Sequence, residues 1–153
     1  MHGTVEAVVW SVVATAPMLV LFLLMTHFPV GPLKAIKDVV DDGIVPMFRE
    51  SSWLELAVVS ALAGIGEEML FRGVVQEAIS QKFGPWIGLV AASIAFGLAH
   101  PINKAYGVLA ALIGLYLGGL WMMTDNLLVP MITHGLYDFL ALVYLLRQRR
   151  ESP

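Results

Sequence analysis

Three short constellations hold side chains capable of acid–base chemistry: Glu67-Glu68-x-x-x-Arg72, Phe96-x-x-x-His100 and His134-x-x-x-Asp138. Each sits in a strongly apolar stretch, where an ionisable side chain costs about 2.5–3.5 kcal/mol on membrane-insertion scales. Glu68 and Arg72 are four residues apart, so on a helix they share a face and can neutralise each other as a structural pair. Glu67 projects about 100° away and has no local cation. A carboxylate so placed finds another polar group, is protonated, or lines a wet cavity, and each outcome suits a general base. His100 alone reads as a helix-end histidine or as a second acid–base group. His134 and Asp138 also share a face; the simplest role for Asp138 is to hydrogen-bond His134, and Gly135 between them permits close helix approach. Peptide hydrolysis needs a base for the water, donors for the tetrahedral oxyanion and a proton for the leaving amine. Glu67, His100 and His134 could supply these without a nucleophilic Ser or Cys.

The same three residues, two histidines and a carboxylate, are also a ligand set that zinc accepts. The chain lacks His-Glu-x-x-His, so the metal-free form is preferred and zinc is the alternative. There is no cysteine, which excludes disulfides, thiol catalysis and thiolate metal sites.

These residues must be positioned by membrane helices. Hydrophobic residues make up 58% of the 153 and charged ones 14%, and the mean hydropathy is +0.79. That leaves too little polar surface for a soluble domain of this size. The apolar residues come in runs near the 20 or so that span a bilayer. The expected fold is all-α, a polytopic bundle of about five membrane helices at 5–28, 52–80, 86–100, 106–124 and 128–146. Together they form one membrane domain, 1–153, with a core at 52–146. Leu33, Ile36, Val39 and Val40 fall at helical spacing in a mixed-charge stretch, which suits a short interfacial helix. The N-terminal run has no Lys or Arg before it and reads as a retained helix rather than a cleaved signal, with Pro17 as a kink. Gly114-x-x-x-Gly118 reads as a helix-packing stripe; His2 and His27 sit at segment edges without a role.

The tail Arg147-Gln148-Arg149-Arg150 predicts a cytoplasmic C-terminus. Five crossings then put the N-terminus outside and Lys34, Lys37, Arg49 and Lys104 inside, so 4 + 3 = 7 of the 9 basic residues face the cytoplasm. The net charge of −3 comes without a basic stripe, and nucleic acid is not an expected partner.

Depth brings the motifs together. Glu68 lies 16 residues before Gly84 and His100 lies 16 after it. If both helices turn there, each climbs about 24 Å at 1.5 Å per residue. The same count places His134 only about 12 Å from the turn at Asp125-Asn126, out of level with the others unless its helix tilts or starts irregularly.

Taken in order, the three motifs resemble the CAAX protease and bacteriocin-processing family of intramembrane endopeptidases, also called the Abi family, over 52–146. The Gly-rich fourth helix and Leu128-Val129-Pro130 fit as well. The resemblance implies a helical core with a cavity open to the membrane and the cytoplasm. It implies that Glu67 and His100 activate a water, that His134 and its i+4 partner surround the substrate carbonyl, and that Phe96 supports the site. In prenyl-protein members that partner is typically Asn. Here it is Asp138, and an ionised carboxylate cannot donate to an oxyanion, so Asp138 is either protonated or only orients His134. The implied partners are the lipid bilayer and a membrane-associated protein or peptide substrate, and the expected location is a bacterial inner membrane. Two other classes remain: a proton-coupled transporter, which the lack of an inverted repeat disfavours, and a non-catalytic immunity or scaffold protein, which an intact Glu67 disfavours.

Overall fold

The structure, a computed structural model, describes residues 3–151. Met1, His2, Ser152 and Pro153 lie outside the described residues, and with them the reading of His2. Among the described residues six helices follow in order: α1 (Thr4–His27), α2 (32–47), α3 (53–83), α4 (Pro85–Leu98), α5 (Lys104–Thr124) and α6 (Leu128–Glu151). No strand occurs among the described residues. α1, α5 and α6 are long and apolar enough to cross a membrane; α4 is apolar but shorter.

Two helices change winding along their length. α2 contains a π-helical stretch, Val40–Ile44, and α3 contains another, Met69–Gln76, directly after Glu67-Glu68. The boundaries follow from local chemistry. Ser52 and Glu55 close a capping box at the start of α3, satisfying two of its orphan donors. α3 turns into α4 through the single residue Gly84, whose φ of +94° disfavours any side chain, and Pro85 then opens α4 at a position that needs no N–H. α4 stops at Leu98, so His100 stands just past its end. Pro101 disfavours a helical backbone at the residue before it, which explains why the helix does not run on through His100. The Asn103 side chain caps the start of α5 by accepting from Tyr106 N at 2.8 Å.

Lipid, not water, explains how the bundle is sorted. Val5, Leu54, Leu62, Leu98 and Met123 are large apolar side chains between 65% and 81% exposed, whereas Glu68, Arg72 and Gln76 are at most 1% exposed. Apolar outside with polar inside is the reverse of a soluble core. Helix contacts rely on small residues and hydroxyls. A Cβ added to Gly64 of α3 would sit 2.6 Å from the Met131 carbonyl oxygen and 2.7 Å from Gly135 N of α6, so the two backbones touch there. Ser11 of α1 donates to the Val129 carbonyl (3.2 Å), and Thr133 of α6 donates back to the Ser11 carbonyl (3.4 Å). Tyr116 of α5 donates to the Ala14 carbonyl of α1 at 2.7 Å. α2 closes one end of the bundle, where Asn103 donates to the Ala35 carbonyl and Arg149 to the Asp41 carbonyl.

Candidate active site

The polar spine of the site runs along one face of α3. Arg72 Nη1 donates to Glu68 Oε1 at 2.9 Å, and Nη2 donates to the Gly114 carbonyl of α5 at 3.0 Å. One turn on, Gln76 donates to the Gly118 carbonyl at 3.4 Å. In an α-helix, steps of four residues drift about 40° each. The wider π-helical turns of Met69–Gln76 reduce that drift, and Glu68, Arg72 and Gln76 all stay on the buried face. The glycines opposite do more than pack. A Cβ at Gly118 would sit 2.5 Å from Gln76 Oε1, and one at Gly114 would sit 3.1 Å from Ser93 Cα. The bare backbone at Gly118 therefore lets Gln76 reach its carbonyl, and the one at Gly114 lets α4 pack closely against α5.

Phe96 is the hub between the spine and the histidines. The Arg72 guanidinium lies 4.8 Å from its ring centroid, and Phe71 meets it edge-on at 4.9 Å. Its other neighbours are the rings of His100, at 4.6 Å, and His134, at 6.0 Å. The Phe96 carbonyl also lies 2.7 Å from His100 Nδ1. A carbonyl can only accept, so Nδ1 carries the proton in this bond, and in the neutral ring Nε2 is left as a lone-pair nitrogen. That Nε2 faces Glu67 Oε2 at 3.8 Å, too far for a direct hydrogen bond. Glu67 Oε2 is buried with no hydrogen-bond partner among the described residues.

His134 is gripped from both sides. Its Nδ1 donates to Glu68 Oε1 at 2.8 Å, and its Nε2 lies 3.4 Å from Asp138 Oδ2. Glu68 Oε1 thus takes hydrogen bonds from both Arg72 and His134, and the buried pair becomes a triad that fixes the ring behind the cavity. Glu67, His100, His134 and Asp138 all line one cavity of about 260 Å³. Its remaining wall is mostly apolar, with Phe22 and Met25 of α1, Ile36 and Val40 of α2, and Leu142 of α6.

The depth mismatch expected for His134 disappears because the two turns are not level. Leu127, in the turn before α6, packs against Gly73 in the middle of α3, far from Gly84 at its end. His134 lies seven residues beyond Leu127 and Glu68 five before Gly73. Antiparallel helices starting from that shared level bring the two side chains together without a large tilt.

Several site residues carry no sequence signal of their own. Tyr106, Tyr137 and Ser60 line the cavity, and Gln76 extends the spine. Tyrosines near a helix end read as interfacial, and Ser60 as a small packing residue. Gln76 could have been found as the third member of a four-residue series with Glu68 and Arg72. No group of three or more His, Cys, Asp or Glu side chains among the described residues is arranged to hold a metal ion.

Comparison with known proteins bears on this cluster. The type II CAAX prenyl endopeptidase Rce1-like family profile matches residues 49–140. The chain is also 30% identical over 138 residues to the uncharacterized protein YpbD of Bacillus subtilis (strain 168), covering 86% of this chain. It spans 65% of the length of that relative. No solved structure matches it. The family match takes in every side chain of the cluster from Glu67 to Asp138 and more than half of the sequence; the chain belongs to the type II CAAX prenyl endopeptidase Rce1-like family.

Proposed function

We propose that this protein is an intramembrane endopeptidase that hydrolyses a peptide bond of a membrane-associated protein or peptide with a water held between Glu67 and His100. The observation that carries this is the pair of acceptors at the cavity: Glu67 Oε2 and His100 Nε2, 3.8 Å apart and not bonded to each other. One water can donate to both, which leaves its oxygen lone pair directed at a substrate carbonyl. Glu67 takes a proton as the C–O bond forms, and the carbonyl electrons move onto the oxygen. His134, held between the carboxylates of Glu68 and Asp138 as a doubly protonated imidazolium, donates from Nε2 to that oxyanion, since its 3.4 Å separation from Asp138 leaves that N–H available for sharing. The proton held by Glu67 then passes to the amine as the C–N bond breaks. Glu68 and Arg72 position His134 and do not meet substrate.

The proposed reaction uses no metal. Zinc held by Glu67, His100 and His134 would have to displace Glu68 or Asp138 from the His134 ring. The apolar wall favours an extended apolar segment of a membrane-bound chain. We place the whole of 1–153 as one domain with its core at 52–146, in a bacterial inner membrane. α1, α3, α4, α5 and α6 would make five crossings, with α2 at the cytoplasmic interface, the C-terminus cytoplasmic and the N-terminus external.

The test compares membrane-protein termini in cells expressing the parent chain or Glu67→Gln, which keeps the side chain's shape but removes the base. New termini should form with the parent and fall about 10²–10⁴-fold with the variant. The same set at the same rate from both proteins would end the proposal.

A further inference from the structure

The oxyanion site formed by His134 and Asp138 is short of donors. Of the two His134 nitrogens, Nδ1 is committed to Glu68 and Nε2 is shared with Asp138. Both Arg72 nitrogens that form bonds are engaged away from the cavity, with Glu68 and Gly114. His100 Nδ1 is tied to the Phe96 carbonyl. Asp138 cannot donate when ionised, and it stands at the motif position from which an amide could. A single shared N–H would have to carry the developing charge.

Two tyrosines line the same cavity, Tyr106 and Tyr137. Their positions differ. The Tyr106 ring lies 6.2 Å from the His100 ring at an interplanar angle of 36°, on the first turn of α5. Tyr137 lies on α6, its ring against Phe22 at 6.3 Å. Tyr106 therefore stands beside His100 of the water-activating pair, on the cavity that His134 and Asp138 also line.

We propose that Tyr106 is a catalytic residue, its phenolic O–H donating to the substrate oxyanion beside His134 Nε2–H and filling the place that Asp138 leaves without a donor. The assignment rests on the endopeptidase function proposed above. Attack of water forms the C–O bond, and the carbonyl π electrons become the oxyanion lone pair. Tyr106 contributes a hydrogen bond that strengthens as this charge develops and keeps its own proton throughout. Collapse returns the electrons to the carbonyl and breaks the C–N bond, with the proton from Glu67 going to the leaving amine.

The experiment uses the full chain in detergent micelles and a quenched fluorescent peptide ending in a farnesylated CAAX sequence. Tyr106→Phe should lower kcat about 10²-fold, the size of losing one oxyanion donor, with KM within about threefold because the bond forms only in the transition state. Tyr144→Phe, whose hydroxyl meets His27 away from the cavity, should stay within about threefold of the parent. Adding Asp138→Asn to Tyr106→Phe supplies an amide donor and should restore kcat at least tenfold, a rescue that a purely structural tyrosine would not show. If Tyr106→Phe lowers the folded yield, 3-fluorotyrosine at position 106 keeps the ring and makes a stronger donor, and it must retain full turnover. Unchanged kcat in Tyr106→Phe, no rescue by Asp138→Asn, or loss of turnover with 3-fluorotyrosine would each overturn the proposal. Glu67→Gln measured alongside separates the two ideas. If it is inactive while Tyr106→Phe is fully active, only the tyrosine role fails; if it is fully active, the endopeptidase mechanism fails with it.

Discussion

Replacing Arg72 with methionine tests whether the buried triad holds the site together. Methionine fills most of the aliphatic volume but has no donors. Arg72 is 1% exposed and Glu68 is 0% exposed, so water cannot replace what is lost. The change removes the 2.9 Å bond to Glu68, the 3.0 Å bond to the Gly114 carbonyl and the stacking on Phe96. Breaking a buried pair by deleting one partner costs about 3–5 kcal/mol, because the remaining charge stays desolvated. That is a large share of a typical stability of about 5–15 kcal/mol. Unfolding of the detergent-solubilised chain should register it as a lower midpoint and a lower folded yield. Companion doubles sharpen the reasoning, because Glu68 also accepts from His134. Glu68→Gln with Arg72→Met removes both charges and keeps an acceptor for His134, so most of the stability should return. Glu68→Ala with Arg72→Ala should recover less, since it leaves the His134 N–H buried without an acceptor at about 1–3 kcal/mol. An Arg72→Met protein within about 1 kcal/mol of the parent would refute the buried-pair cost on which the estimate rests.

His100→Ala should match Glu67→Gln in its loss of turnover on the same quenched peptide, and the double variant should lose little more, because both groups act on one water; simple multiplication of the two losses would sink the shared-water assignment. Gly64→Ala should destabilise by about 1–3 kcal/mol through overpacking, since its Cβ would meet α6 backbone at 2.6 Å, whereas Gly66→Ala, with nothing within 4 Å, should be neutral or mildly stabilising. Equal unfolding midpoints for those two variants would show that α3 and α6 do not touch at Gly64. Reporters fused at Met1 and after Arg150 should read opposite sides of the membrane, external and cytoplasmic; the same side for both ends would remove the five-crossing topology.

Local spacing alone made part of this site legible. Residues four apart on one helix share a face in any tertiary setting, so the Glu68–Arg72 and His134–Asp138 neighbourhoods follow from the sequence, as does the separation of Glu67 from its neighbour. Long apolar runs with a few buried ionisable groups likewise require helices whose polar faces turn inward. The structure decided what lies between helices. Equal residue counts from Gly84 matched α3 to α4, but counting from Asp125-Asn126 left His134 out of level, because Leu127 seats against Gly73 rather than beside Gly84. No local preference encodes that level; it is set by where the glycine contacts let α6 close on α3. The bond from His134 to Glu68, the drift correction in Met69–Gln76 and the position of Tyr106 beside His100 have the same origin. Each depends on the relative height and rotation of two helices, which packing across the whole bundle determines and which spacing along one helix cannot.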